Sequence, residues 1–137
     1  MEAFREIDHS GDVGIEASGS DIADLLANVT RGLFALQYHG RVERNVERKI
    51  HVESESTEDL VVDWLSEVIA VGGARGELYS EVSLLEASER RARGVLRGER
   101  FSEAAHEPRF DVKAVTYHGL EVRRRGGVWR VRVIFDL

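Results

Sequence analysis

A short turn near the amino terminus brings together two acidic residues and a histidine. Residues 8–14 read Asp-His-Ser-Gly-Asp-Val-Gly, so Asp8, His9 and Asp12 lie within one turn beside two glycines. A turn of this kind can direct several oxygen atoms toward one point. The alternative is an Asx-type turn, in which the Asp12 side chain only accepts hydrogen bonds from backbone amides.

The last predicted strand offers two further carboxylates. The two-residue period of a strand places the apolar side chains at 129, 131, 133 and 135 on one face. Asp136 then lies on the opposite face, next to the terminal α-carboxylate of Leu137. If the Asp12 turn lies beside this strand end, the oxygen ligands suit a hard cation such as Ca²⁺ or Mg²⁺. The alternative is an Asp136 that is solvated or paired with an arginine.

Two other groups of polar residues could carry chemistry. In residues 113–118, Lys113 and Tyr117 share one face of a predicted strand, and Thr116 and His118 share the other. The alternative to a functional site is a strand in which Tyr117 packs and His118 lies at the edge. Five arginines form a basic strip on the terminal hairpin: Arg123, Arg124, Arg125, Arg130 and Arg132. We favour a role in preventing aggregation at a sheet edge over phosphate contact for this strip.

Composition excludes several classes of protein. The chain has 137 residues and a net charge of -6, which favours one compact domain without global attraction to nucleic acid or anionic lipid. It has no cysteine, so disulfides and thiolate metal sites are excluded. No signal sequence or long apolar segment is present, and a cytoplasmic protein without membrane contact is the simplest expectation. No glycine-rich phosphate loop, GxSxG or HExxH motif occurs.

The hydrophobic spacing and turn signals along the chain predict an α+β fold that would position these polar residues. A hairpin over residues 4–19 is followed by a helix that Ser20 caps and Gly40 ends, and then by a strand through Val46 and Val52. Ser56 and Asp59 resemble a capping box for a second helix. Strands around 77–86, 91–97, 109–117, 120–125 and 128–136 predict an antiparallel meander, with a turn at 126–127. We therefore predict two helices packed on antiparallel sheet in a single domain, 1–137.

Four segments resemble the archease family. Residues 7–15 are similar to its His-Thr-Ala-Asp-Ile-Gly motif, and residues 60–67 to its Asp-Trp-Leu-Asn-Glu helix. Residues 112–118 resemble its Val-Lys-Ala-Val-Thr-Tyr-His strand, and residues 133–137 its terminal strand ending in Asp-Ile or Asp-Leu. The four occur in the family's order and span nearly the whole chain. Ser10-Gly11 replaces the usual Thr-Ala and Ser66 the usual Asn, and neither change removes a carboxylate.

The resemblance implies both a fold and a function. It implies an archease-like fold related to strand-helix-strand-strand (SHS2) modules, with one such unit inserted in another. It also implies an accessory protein, not an enzyme, that promotes guanylation and multiple turnover of an RtcB-type RNA ligase, and so contacts tRNA or other RNA only indirectly. The family's metal ligands map onto Asp12, Asp136 and the terminal Leu137. The ion implied is divalent, calcium by preference, with magnesium or manganese as alternatives.

Two other functions stay open from the residues. A metal-dependent hydrolase could use Asp12 and Asp136 with His9 or His118 as a base, although no nucleophile or nucleotide-binding loop accompanies them. An RNA-binding or chaperone module could act through the arginine strip, although the net charge of -6 opposes broad affinity for RNA.

Overall fold

The fold is that of a computed structural model, which describes residues 3–9 and 11–137. In chain order the elements are β1 (Phe4–His9), β2 (Asp12–Gly19), α1 (Ile22–Gln37), β3 (Tyr38–His39), β4 (Val46–Glu53), α2 (Thr57–Arg75), β5 (Glu77–Ala87), β6 (Arg91–Arg100), β7 (Glu107–Pro108), β8 (Ala114–Arg125) and β9 (Val128–Asp136). In these residues neither helix is long and apolar enough to cross a membrane.

The two ends of the described chain meet in one antiparallel sheet. Its four strands lie in the order β1-β2-β9-β8, so the terminal strand β9 is an interior strand. The inward face of β9 carries Val131, Val133 and Phe135, which are buried in the main core. This alternation confirms the predicted apolar face. We call the opposite face of this sheet, turned away from the core, the outer face.

The middle of the chain forms a sheet of its own. β4, β6 and β5 pair in that order, and β3 pairs with β7 in a separate two-stranded ladder. β4, α2, β5 and β6 therefore make one strand-helix-strand-strand unit. It is inserted between the β2–α1 segment and the β8–β9 hairpin, which agrees with the insertion that the family resemblance implies.

Both helices contribute to one hydrophobic core between the two larger sheets. α1 contacts β2 and β5, and α2 contacts β8 and β4, so each helix touches both sheets. Trp64 of α2 is fully buried, and its indole N–H donates a hydrogen bond of 2.9 Å to the Thr30 hydroxyl of α1. The predicted α+β class, with two helices on antiparallel sheet, is confirmed.

The structure differs from the sequence patterns in three places. The strands of the second half do not form one meander, because β5 and β6 join one sheet and β8 and β9 the other. Asp21, not Ser20, caps α1, since its carboxylate accepts a 2.7 Å hydrogen bond from the Asp24 backbone N–H; the helix ends at Gln37, before Gly40. Residues 109–113 lie outside any strand, and residues 114–125 form one irregular strand.

Candidate functional site

Asp12 and Asp136 lie on neighbouring strand ends of the four-stranded sheet. β2 and β9 pair antiparallel, and Val13 and Phe135 are partners near this end of the ladder. One further step along the same register places Asp12 opposite Asp136. Directly opposed residues have Cα atoms about 4.5–5.5 Å apart and side chains on the same face. The sheet therefore brings together the two carboxylate-bearing residues from opposite ends of the sequence.

The two outer strands complete a row across this end of the sheet. His9 of β1 pairs with Asp12, and Ala114 of β8 pairs with Asp136. The Lys113 backbone N–H donates a 2.9 Å hydrogen bond to the Asp136 carbonyl oxygen, which holds the end of β9 against β8. Ser10 and the His9 side chain lie outside the described residues, so the predicted turn is known only from its flanks.

The solvent exposure of Asp12 and Asp136 is that of side chains on the outer face. Phe135 is fully buried, whereas Asp136 is exposed and Asp12 is half-buried. Leu137 is 42% exposed, so its apolar side chain does not anchor the terminal strand in the core. Asp136 and the Leu137 residue that follows it are therefore both exposed.

A tightly packed contact between Ile134 and Gly14 lies beside the two aspartates. A Cβ atom on Gly14 would be 2.7 Å from Ile134 Cδ1 and 2.7 Å from the Val133 carbonyl oxygen, so only glycine fits there. Because Ile134 packs over Gly14, it is buried although it lies on the outer face. This close approach gives a physical reason for glycine two residues after Asp12, which sequence reasoning treated only as a flank of the turn.

The donor set is consistent with a hard cation but is small. Within residues 3–9 and 11–137, no group of three or more histidine, aspartate or glutamate side chains could hold a metal ion. Asp12, Asp136 and the terminal carboxylate of Leu137 together offer oxygen atoms only. Calcium takes six to eight such ligands, so three groups leave positions for water or for atoms of another molecule.

An irregular segment of β8 protrudes beside α2. Thr116 pairs with Ile134, and the next pair along the ladder is Glu121 with Arg132, so the four residues 117–120 lie opposite a single residue of β9. Gly119 takes a φ of +76°, which favours glycine. The predicted alternation over residues 113–118 therefore breaks down at Tyr117.

A hydrogen bond from Tyr117 ties the protruding segment to α2, and a second hydrogen bond ties the loop before α2 to the same helix. The Tyr117 hydroxyl donates a 2.6 Å hydrogen bond to Asp59, and the Ser54 hydroxyl donates one of 2.6 Å to Asp63. The hydrogen bond to Asp59 is the main cause that raises the pKa of Tyr117 to about 12. Asp63 is thus engaged with the loop that precedes α2.

The titration of Tyr117 tests this contact. We expect Asp59→Ala to lower the pKa of Tyr117 from about 12 toward the ordinary value of about 10, because the carboxylate favours the neutral phenol. The raised pKa means that the contact stabilises the fold below about pH 10, and that this contribution is lost as pH rises through about 12. The pKa of Tyr117 is measured from phenolate absorbance. Subtracting the titration curve of Tyr117→Phe removes the contribution of the other two tyrosines. Glu67→Ala, on the same helix, serves as the control, and an equal shift in that variant would contradict the assignment.

The arginines of the predicted strip do not all share one face. Arg124 places its guanidinium 5.5 Å from the ring centroid of Trp129, which packs against the core. The other four alternate onto the outer face, where Arg123 and Arg130 are direct cross-strand partners.

The chain is similar to known proteins over its whole length. A model of the archease protein family matches residues 4–137. The protein archease of Pyrococcus furiosus is 29% identical over 142 residues, covering 100% of both chains. The protein archease of Methanopyrus kandleri is 32% identical over 138 residues, covering 98% of this chain and 99% of that one.

Solved structures share the fold. The solution structure of Methanobacterium thermoautotrophicum protein 1598 is 30% identical, with a TM-score of 0.82 and complete coverage of both chains. A crystal structure from Thermotoga maritima, described as an archease and possible chaperone, is 23% identical, with a TM-score of 0.67. It covers 96% of this chain and 94% of that one, and at this identity the likeness shows the fold alone.

Proposed function

Because the chain belongs to the archease protein family, we propose that it is a metal-binding accessory protein that activates an RtcB-type RNA ligase in tRNA splicing or RNA repair. The observation that carries the proposal is the register of β2 and β9, which sets Asp12 opposite Asp136 at the exposed end of the terminal strand. The proposed place of action is the cytoplasm, where GTP and the RNA substrates of such a ligase occur.

Asp12, Asp136 and the terminal carboxylate of Leu137 are the proposed ligands. Their oxygen chemistry favours calcium, with magnesium or manganese as alternatives. A cation held there would supply positive charge that organises phosphate oxygens. The chain's own part is to fix two carboxylates on paired strands and to present them at a solvent-facing edge.

The rigidity of the strand ends supports presentation to a partner. The Lys113 N–H holds the Asp136 backbone, and Ile134 packs on Gly14 immediately beside the carboxylates. A site built on paired strands holds its ligands more precisely than one on a loop. The few ligands leave coordination positions open, so atoms of a ligase active site could complete the sphere. The ligase itself would supply the nucleophile and the nucleotide pocket.

A reconstituted reaction tests the proposal. The ligase from the same source is mixed with GTP, a divalent metal and excess RNA ends, with and without this chain. We expect the chain to increase the guanylated fraction of the ligase and to allow several joining events per ligase molecule. Unchanged guanylation and turnover would contradict the proposal. Hydrolysis of nucleotide or RNA by the chain alone would instead favour the metal-dependent hydrolase.

A further inference from the structure

A groove crosses the outer face of the four-stranded sheet, away from the carboxylate end. It has a volume of about 460 Å³, and side chains from all four strands line it. Among the described residues, four of those that line it are arginines, Arg5, Arg123, Arg130 and Arg132, and two are acidic, Glu16 and Glu121. We call it the arginine groove. It is locally positive in a chain whose net charge is -6.

Within the part of the chain that the structure describes, the charges in the arginine groove are incompletely paired. Arg5 forms an ion pair of 2.7 Å with Glu16, and Arg123 one of 3.5 Å with Glu121. Arg130 lies between Ser18 on β2 and Arg123 on β8, so two like charges stand directly opposite each other. Such an arrangement destabilises a sheet unless an anion compensates it.

Arg132 is a second arginine of the groove that lies on the interior strand β9. In the register it lies between the two glutamates of the groove, yet its Nε is buried and has no hydrogen-bond partner in the part of the chain that the structure describes. A buried donor without an acceptor destabilises the fold, and such groups need an explanation. Because this nitrogen has almost no accessible surface, an anion could reach it only after the Arg132 side chain moves.

Protection of a sheet edge does not account for these arginines. β8 is an edge strand, and charges on it can prevent edge-to-edge pairing. Arg130 and Arg132, however, lie on β9, which is flanked by β2 and β8 and has no free edge. Their positive charges face outward from the middle of a sheet, so the edge-protection role that the sequence favoured is insufficient.

We propose that the arginine groove binds phosphate groups of the RNA backbone directly and without sequence preference. Guanidinium groups match phosphate oxygens in charge and in planar geometry. The exposed large hydrophobic residues of the described chain are Leu85, Phe101, Tyr117 and Leu137, and none of them lines the groove. The apolar residues that do line the groove are Phe4, Ala17 and Val131, and all three belong to the core or pack against it.

The groove and the carboxylate end lie on the same face of the same strand. Arg132 and Asp136 are four residues apart on β9, which is about 13 Å at the rise of a strand. An RNA strand held in the groove can thus reach the carboxylate end without leaving the sheet. This inference deepens the proposed function, because it gives the accessory protein a direct contact with the substrate, but the binding itself requires neither the metal nor the ligase.

The test measures the binding of a fluorescently labelled single-stranded RNA of about 12 nucleotides. Binding is monitored by fluorescence anisotropy, in EDTA and at low salt. We expect the wild-type chain to bind with strongly salt-dependent affinity. The double variant Arg130→Gln/Arg132→Gln should bind about tenfold more weakly, and the slope of log K against log salt should flatten by about 1.4. Arg123→Gln changes a more exposed side chain and should also weaken RNA binding. This variant provides the test if the double variant fails to fold.

Arg124→Gln is the matched control. It removes the same charge from the opposite side of the hairpin, and we expect RNA affinity within twofold of wild type. Three results would overturn the proposal: no salt-dependent binding by the wild type, equal weakening by Arg124→Gln, or competition by polyglutamate as effective as that by RNA, which would indicate an acidic protein partner. Asp136→Ala should bind RNA normally in EDTA, so a failure of ligase activation and a failure of RNA binding are distinguishable.

Discussion

We expect Asp136→Ala to lose most ligase activation while the metal-free protein keeps its stability. Asp136 is exposed, and the adjacent Phe135 fills the core, so the substitution removes a carboxylate without opening a cavity. The metal-free free energy of unfolding should change by less than about 0.5 kcal/mol. Metal affinity should fall about tenfold or more, because both the charge and the geometry of a small ligand set are weakened.

The measurements are calcium titration calorimetry, thermal melting in EDTA, and guanylation of the ligase at limiting metal. Glu103→Ala is a matched control, since it removes an exposed carboxylate from a turn outside the proposed site. Extending the chain by one glycine replaces the Leu137 carboxylate with a peptide group and should lower metal affinity in the same direction. Full activation by Asp136→Ala at limiting metal would exclude the proposed ligand set.

Gly98→Ala should destabilise the fold by about 3 kcal/mol or more. Gly98 lies in β6, the centre strand of its sheet, and a Cβ atom there would be 1.9 Å from the Leu78 carbonyl oxygen and 2.6 Å from Tyr79 Cα. Both atoms belong to the backbone of β5, whose register shifts between Tyr79 and Glu81. A rotamer change cannot relieve a clash with backbone, so a strand must move.

Gly73→Ala is the opposite case and the control. Gly73 lies in α2, and no atom is within 4 Å of its added Cβ. Alanine should therefore stabilise the helix by about 0.5–1 kcal/mol, because it restricts the unfolded chain and favours helix. Urea unfolding followed by circular dichroism measures both variants. Similar midpoints for Gly98→Ala and the wild type would mean that β5 and β6 are not packed as described.

Local patterns predicted most of the elements because each depends on neighbouring residues. The helical spacing of apolar residues located α1 and α2, and Ser56 was correctly predicted to cap α2, where its hydroxyl accepts a hydrogen bond from the Asp59 N–H. The cap of α1 was misplaced by one residue, because Ser20 and Asp21 are both good caps and only the backbone decides between them. The irregular segment 117–120 was missed, since a two-residue period does not reveal extra residues opposite a partner strand.

The sequence by itself determined which face of the terminal strand is apolar, and hence that Asp136 points away from the core. It also identified Asp12 and Asp136 as carboxylates that would suit a hard cation, which stays a prediction. It could not determine that they are neighbours, because alternation specifies a face but not a partner, and residues 13 and 135 pair across almost the entire chain. The tertiary structure decided that β9 is an interior strand, placed Asp136 beside Asp12, and placed Arg130 and Arg132 in a groove and not at an edge.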